Sequence, residues 1–142
     1  MVVRVKLRIK SRYGGASEET SALVNSGYEA ESSQLLIPRV LAAKLGLWPP
    51  PPEAELIEVG TAGGPTRVYL VRRAAEVWVI TSNRVVGPVG ADIVISSVEQ
   101  EVLISDKLGG DLGIVILDLR GKWRFSDEED VVRSTEPPQY WY

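Results

Sequence analysis

The chain predicts a mainly β protein, a small barrel or sandwich carrying two short helices. Two patterns point there. Short apolar runs follow one another at close spacing from residue 2 to residue 117, and turn-forming Gly, Pro, Asn or Asp stands at most junctions. Residues 2–10 also alternate cleanly, with Val3, Val5, Leu7 and Ile9 against Arg4, Lys6, Arg8 and Lys10, the period-two signature of a half-buried strand. At 142 residues the length is that of one domain, and no internal repeat is evident.

The elements follow in order. Tyr13-Gly14-Gly15-Ala16 is a turn, and residues 20–24 return as a second strand to close a hairpin. After Asn25-Ser26-Gly27 and a polar loop to Gln34, Leu35-Leu36-Ile37 reads as a short strand. Pro38 suits the first position of a helix running to Leu45, with Val40, Leu41 and Leu45 as its apolar face and Gly46 as its stop. Leu47-Trp48 and the four prolines at 49–52 make a stiff connector; without flanking basic residues, a spacer is favoured over an SH3-type ligand. Strands are expected at 56–59, 67–71, 74–80, 85–86, 92–95 and 102–104, with a glycine-rich tip at 60–65. A short helix at 106–112 precedes a last core strand at 114–117. We divide the chain into a domain over residues 1–125 and an acidic, proline-containing tail over 126–142, disordered or draped on a neighbour. The tail ends in Tyr140-Trp141-Tyr142, an aromatic cluster suited to docking.

Composition excludes several classes of function. Apolar residues make up 44% and charged residues 25%, an ordinary globular balance, and no apolar run has the length of a membrane helix. With a net charge of −3, the four cations of the first strand read as a solvated face and not a nucleic-acid surface. The start lacks a signal-peptide core, which with the missing cysteines points to the cytoplasm. Neither cysteine nor histidine occurs, which removes disulfides, thiolate nucleophiles, imidazole bases and the usual zinc sites. No cofactor is implied, and the acidic run Asp127-Glu128-Glu129-Asp130 lacks the alternating oxygens of a calcium loop. Thermolabile types are scarce, with Met only at position 1 and Asn only at 25 and 83, the depletion expected of a hyperthermophile.

Three features stand in a telling order. Ser21-Ala22-Leu23-Val24 ends in Asn25-Ser26-Gly27, a glycine-rich hairpin tip lies in mid-chain, and Val102-Leu103-Ile104-Ser105 enters a helix containing Leu108 and Leu112. Together with Leu36-Ile37-Pro38 and Leu45-Gly46-Leu47, this order resembles the retropepsin-like aspartic proteases, above all their cellular members, over residues 2–120. The resemblance implies a closed β-barrel, half of an acid-protease fold, that pairs as a homodimer with its site on the twofold axis. It places Asn25, Ser26 and Gly27 at the catalytic triplet, with Gly27 permitting a turn beneath the site and the Ser26 hydroxyl tying the two halves together. It also gives Glu29 and the tip residues Gly60, Thr61, Ala62, Gly63 and Gly64 to the binding of a peptide or protein substrate under a mobile flap.

The sequence departs from that pattern twice. Asn25 stands at the catalytic aspartate position, and Ser105 at the position of a glycine before the second helix. Two carboxylates about 3 Å apart share one proton, so that one activates water while the other protonates the peptide carbonyl. An amide keeps the shape and hydrogen-bonds the same water, but it cannot take that water's proton. The resemblance therefore implies a protein that binds like a protease and cuts poorly or not at all. Asn25 is open to four explanations: the natural residue of a non-catalytic relative, an engineered replacement of Asp, an Asn that slowly deamidates, or an ordinary turn residue.

Overall fold

In the computed structural model, residues 3–25, 27–61 and 63–142 are described. The alternation of the first strand is realised: β1 (Arg4–Ser11) sends Val5, Leu7 and Ile9 into the core, while Lys6 and Arg8 stay outside beside Glu19 of β2 (Ser17–Val24). The two strands form an antiparallel hairpin from Arg4 opposite Leu23 to Lys10 opposite Ser17. β3 (Gln34–Pro38) leads into α1 (Arg39–Lys44), with Pro38 as the last strand residue and helix N-cap. Leu41, Ala42 and Leu45 are buried, but Val40 is 37% exposed, so the helix turns a narrower apolar face inward than its sequence suggests. Gly46 ends the helix at φ +72°, where a Cβ would stand 2.7 Å from the Tyr13 carbonyl oxygen; only glycine fits.

The remaining elements are β4 (Glu55–Thr61), β5 (Gly64–Ile80), β6 (Val85–Ser96), β7 (Val102–Ile104), α2 (Asp106–Asp111), β8 (Ile114–Asp118), β9 (Lys122–Phe125) and β10 (Arg133–Ser134). Runs expected as separate strands are continuous here. β5 passes through a register shift between Val71 and Ala75, where Arg73 adopts φ 52°. Its backbone N–H donates to Asp92 Oδ1 at 2.8 Å instead of to a neighbouring strand. A side chain of β6 thus satisfies the bulge, and the strand bends without breaking.

The sheet order β1-β2-β7-β3-β6-β5, with β5 pairing back to β1, closes a six-stranded β-barrel. Its interior holds the buried side chains of β1, β3, β5, β6 and β7, roofed by Leu41, Leu45, Leu108 and Leu112 from the helices. β4 lies outside the closure, and among the described residues it pairs with β5 alone. Among the described residues no helix is long and apolar enough to cross a membrane.

The chain after α2 differs most from expectation. β8 is no core strand: it joins β9 and β10 in a separate three-stranded sheet, with Ile116 and Leu117 each 43% exposed. Residues 126–142 fold back on their own barrel. Glu136 N–H donates to the Arg4 carbonyl, Ser21 Oγ to that of Pro137, and Trp141 donates from its backbone to Gln100 O and from Nε1 to Thr20 Oγ1. The terminal aromatic cluster docks through Trp141, which packs against the core.

Candidate functional site

β2 and β3 are consecutive in the chain but not adjacent in the barrel, because β7 fills the gap between them. It runs parallel to β2, with Val24 opposite Ile104, and antiparallel to β3, with Leu35 opposite Ile104. The connection from residue 25 to residue 33 must therefore cross the end of β7 and the start of α2. Backbone hydrogen bonds pin it there: Asn25 N to Ile104 O at 3.2 Å, Ser105 N to Gln34 O at 3.1 Å, and Asp106 N to Tyr28 O at 2.8 Å. Asp106 Oδ1 accepts from Ala30 N, and Lys107 Nζ donates to Glu31 O.

Asn25 sits half-buried at the head of this loop. Its Oδ1 accepts from Gly27 N at 3.1 Å and its carbonyl from Tyr28 N at 3.0 Å, a side-chain-stabilised turn. At Gly27 a Cβ would stand 3.3 Å from Asn25 Oδ1, so glycine gives this turn a close approach. Ser26 lies outside the described residues.

Ser105 is fully buried, and its hydroxyl accepts from Leu108 N at 3.2 Å, capping α2, and from Gln34 N at 3.1 Å. A glycine could do neither. Ser105→Ala removes the cap, worth about 1 kcal/mol, and leaves the Gln34 N–H unsatisfied at a further cost of about 1–3 kcal/mol. We expect a drop in unfolding free energy of about 2–4 kcal/mol in urea titration. A loss under 1 kcal/mol would mean that the loop relaxes without this anchor.

Above the loop lies a cleft of about 990 Å³. It brings together Asn25, Gly27 and Glu29 from the loop and Gly60 from the β4–β5 hairpin. That hairpin pairs up to Thr61 opposite Gly64, with Gly64 at φ +106°, a conformation that favours glycine. Gly63 and Gly64 are not among the residues bordering the cleft, and Ala62 lies outside the described residues. Four consecutive residues of β4, Ile57 to Gly60, border it. Successive strand side chains point to opposite faces, so a cleft touching four in a row runs along the strand's edge. β4 has no partner strand on that side among the described residues, and its N–H and C=O groups are open to pairing.

Several site residues escaped the sequence. A second apolar cluster of Val68, Leu70 and Val94, packed by Leu36, Ile57 and Val59, is separate from the barrel core, and all of these but Val68 border the cleft as its floor. Its signal was the unbroken Leu35-Leu36-Ile37 run, which implies a strand covered on both faces. Tyr28 donates its hydroxyl to Gln34 Oε1 at 2.9 Å; burial, helped by the Asp92 carboxylate, raises its pKa well above the usual phenol range. It remains a donor at all working pH values. Asp92, unassigned by spacing, accepts from Ser32 Oγ at 2.7 Å as well as from the β5 bulge, and so ties the loop to the barrel wall. Among the described residues no group of three carboxylates is placed to hold a metal ion. Compared with protein-family models and with curated proteins, the chain matches none.

Proposed function

We propose that the chain is one half of a retropepsin-like homodimer that binds an extended peptide and, with Asn25 at the catalytic position, cleaves it poorly or not at all. The observation that carries this reading is the cleft, where the end of β2 at Asn25 and Gly27 faces the open edge of β4 across an apolar floor. A peptide laid along residues 57–60 adds a strand through main-chain bonds, and its alternate side chains drop onto Leu36, Leu70 and Val94. Its backbone then passes over Asn25. There a carboxylate would activate water, whereas the amide can only hold it. One chain supplies one such residue, so a full site needs a second copy related by a twofold axis.

The test has two parts. Sedimentation at micromolar concentration should give a dimer, and titration with an extended apolar peptide should slow amide exchange at residues 57–60. A strict monomer removes the half-site reading. A dimer whose β4 amides stay unprotected by any peptide leaves a purely structural assembly.

A further inference from the structure

We infer that this cleft selects peptides carrying lysine or arginine beside their apolar residues, an inference that rests on the peptide-binding reading above. Around the apolar floor stand Glu29, Glu31, Glu58 and Glu99. All four are exposed, and none makes a side-chain ion pair or hydrogen bond among the described residues. The cations nearby are largely committed. Arg72 borders the cleft but bonds Glu55 at 3.1 Å, and Lys107 donates to the Glu31 carbonyl. Arg67 stands opposite Glu58 in the hairpin register, which offsets that one carboxylate. Lys107, whose ammonium sits on the Glu31 carbonyl, partly offsets that residue's carboxylate, and Glu29 and Glu99 are left with no cation bonded to them among the described residues.

Their positions are built in. Glu29 and Glu31 flank Ala30, whose N–H is held by Asp106. Glu99 follows a tight turn in which the buried Ser96 hydroxyl accepts from both Val98 N and Glu99 N. The loop acids and Glu99 thus border a floor that itself offers only apolar contact. A peptide lying along β4 with an apolar residue on that floor would carry its neighbouring side chains toward these carboxylates. An ammonium or guanidinium gains from each, a carboxylate is repelled, and a neutral side chain is indifferent.

The experiment uses the intact protein and three fluorescein-labelled extended peptides with the same Leu/Val centre, flanked by Lys, by Gln or by Glu. Anisotropy titration should rank them Lys, Gln, Glu. Two or three exposed charge pairs make the Lys peptide about tenfold tighter than the Gln peptide at low salt, and the gap should shrink as salt is raised. In the triple variant Glu29→Gln, Glu31→Gln, Glu99→Gln, the advantage of the Lys peptide should disappear. Equal affinity for all three peptides overturns the charge selection and leaves peptide binding intact. A preference that persists in the triple variant overturns the assignment to these residues. Binding by none of the three overturns both this inference and the reading beneath it.

Discussion

Asn25→Asp is expected to give a protein that cleaves peptides in the acid range, where the unchanged amide should cleave poorly or not at all. In the proposed dimer the change would place two carboxylates at the axis. Each would inherit the hydrogen bond that Gly27 N now gives to Asn25 Oδ1, which favours the charged form. Two charges so close cannot both persist, so the pair should titrate together, one step well above the reference value of about 3.9. General acid–base catalysis of this kind is worth roughly 10²–10⁴-fold. The measurement is peptide cleavage by variant and wild type side by side, with a tetrahedral-hydroxyl transition-state mimic as inhibitor. The swap replaces one amide nitrogen by oxygen, so altered packing is not available as an explanation. Activity in both proteins from the first minute would assign the chemistry to another residue. Slow growth of activity in the wild type, beside a variant active from the start, would mark deamidation. Activity in neither would leave peptide binding as the function, and make the buried Ser105 anchor the next position to examine.

The largest loss of stability is expected from Phe125→Ala. Phe125 is 1% exposed, meets Trp123 edge to face at 5.0 Å between centroids, and lies under the guanidinium groups of Arg84 at 4.9 Å and Arg133 at 5.2 Å. It joins the barrel core to the outer sheet and to the returning tail. Truncation should cost about 3–5 kcal/mol, a large share of a typical domain's stability, read as a lower urea midpoint. A loss under about 1 kcal/mol would mean that the outer sheet contributes little to the fold.

The charges over that ring give the same region a pH dependence. Arg133 bonds Glu128 at 2.5 Å and Phe125 N–H donates to the same carboxylate, and together they pull its pKa from 4.5 down to about 2. A depressed carboxylate pKa stabilises the fold above its unfolded value, and that contribution is lost as the pH falls through the folded one. The urea midpoint should therefore be level with respect to Glu128 above 4.5 and decline toward about 2. In Glu128→Gln this part of the decline should be absent. The cleavage assay on Asn25→Asp belongs in the upper part of the acid range, before this contribution fades.

Where strands lie was legible in the sequence, because burial on one or both faces of a sheet writes itself directly into residue order. The alternation, described from Val3 to Lys10, and the Gly46 stop are local consequences of pleat and backbone sterics, and both stand. So does the mainly β class, whose closure into six strands follows once β5 is long enough to pair with both β6 and β1. The triplet at 25–27 and the tip glycines could be singled out for the same reason, as short polar interruptions between apolar runs.

Other features were decided only in three dimensions. Nothing in the run at 114–117 distinguishes an inner strand from an outer one; its neighbours β9 and β10 settle that by pairing with it away from the barrel. Ser105 reads as a departure from glycine until Gln34, 71 positions away in the chain, is found bonded to its hydroxyl. The acidic tail, low in apolar residues, reads as disordered or draped on a neighbour, and its sequence does not say which; Trp141 and Glu136 gain partners on strands formed more than a hundred residues earlier. Residue order reports what a segment can bury by itself. Which surface arrives to cover it, or to accept its hydrogen bonds, depends on contacts distant in the chain, and those exist only once the barrel has closed.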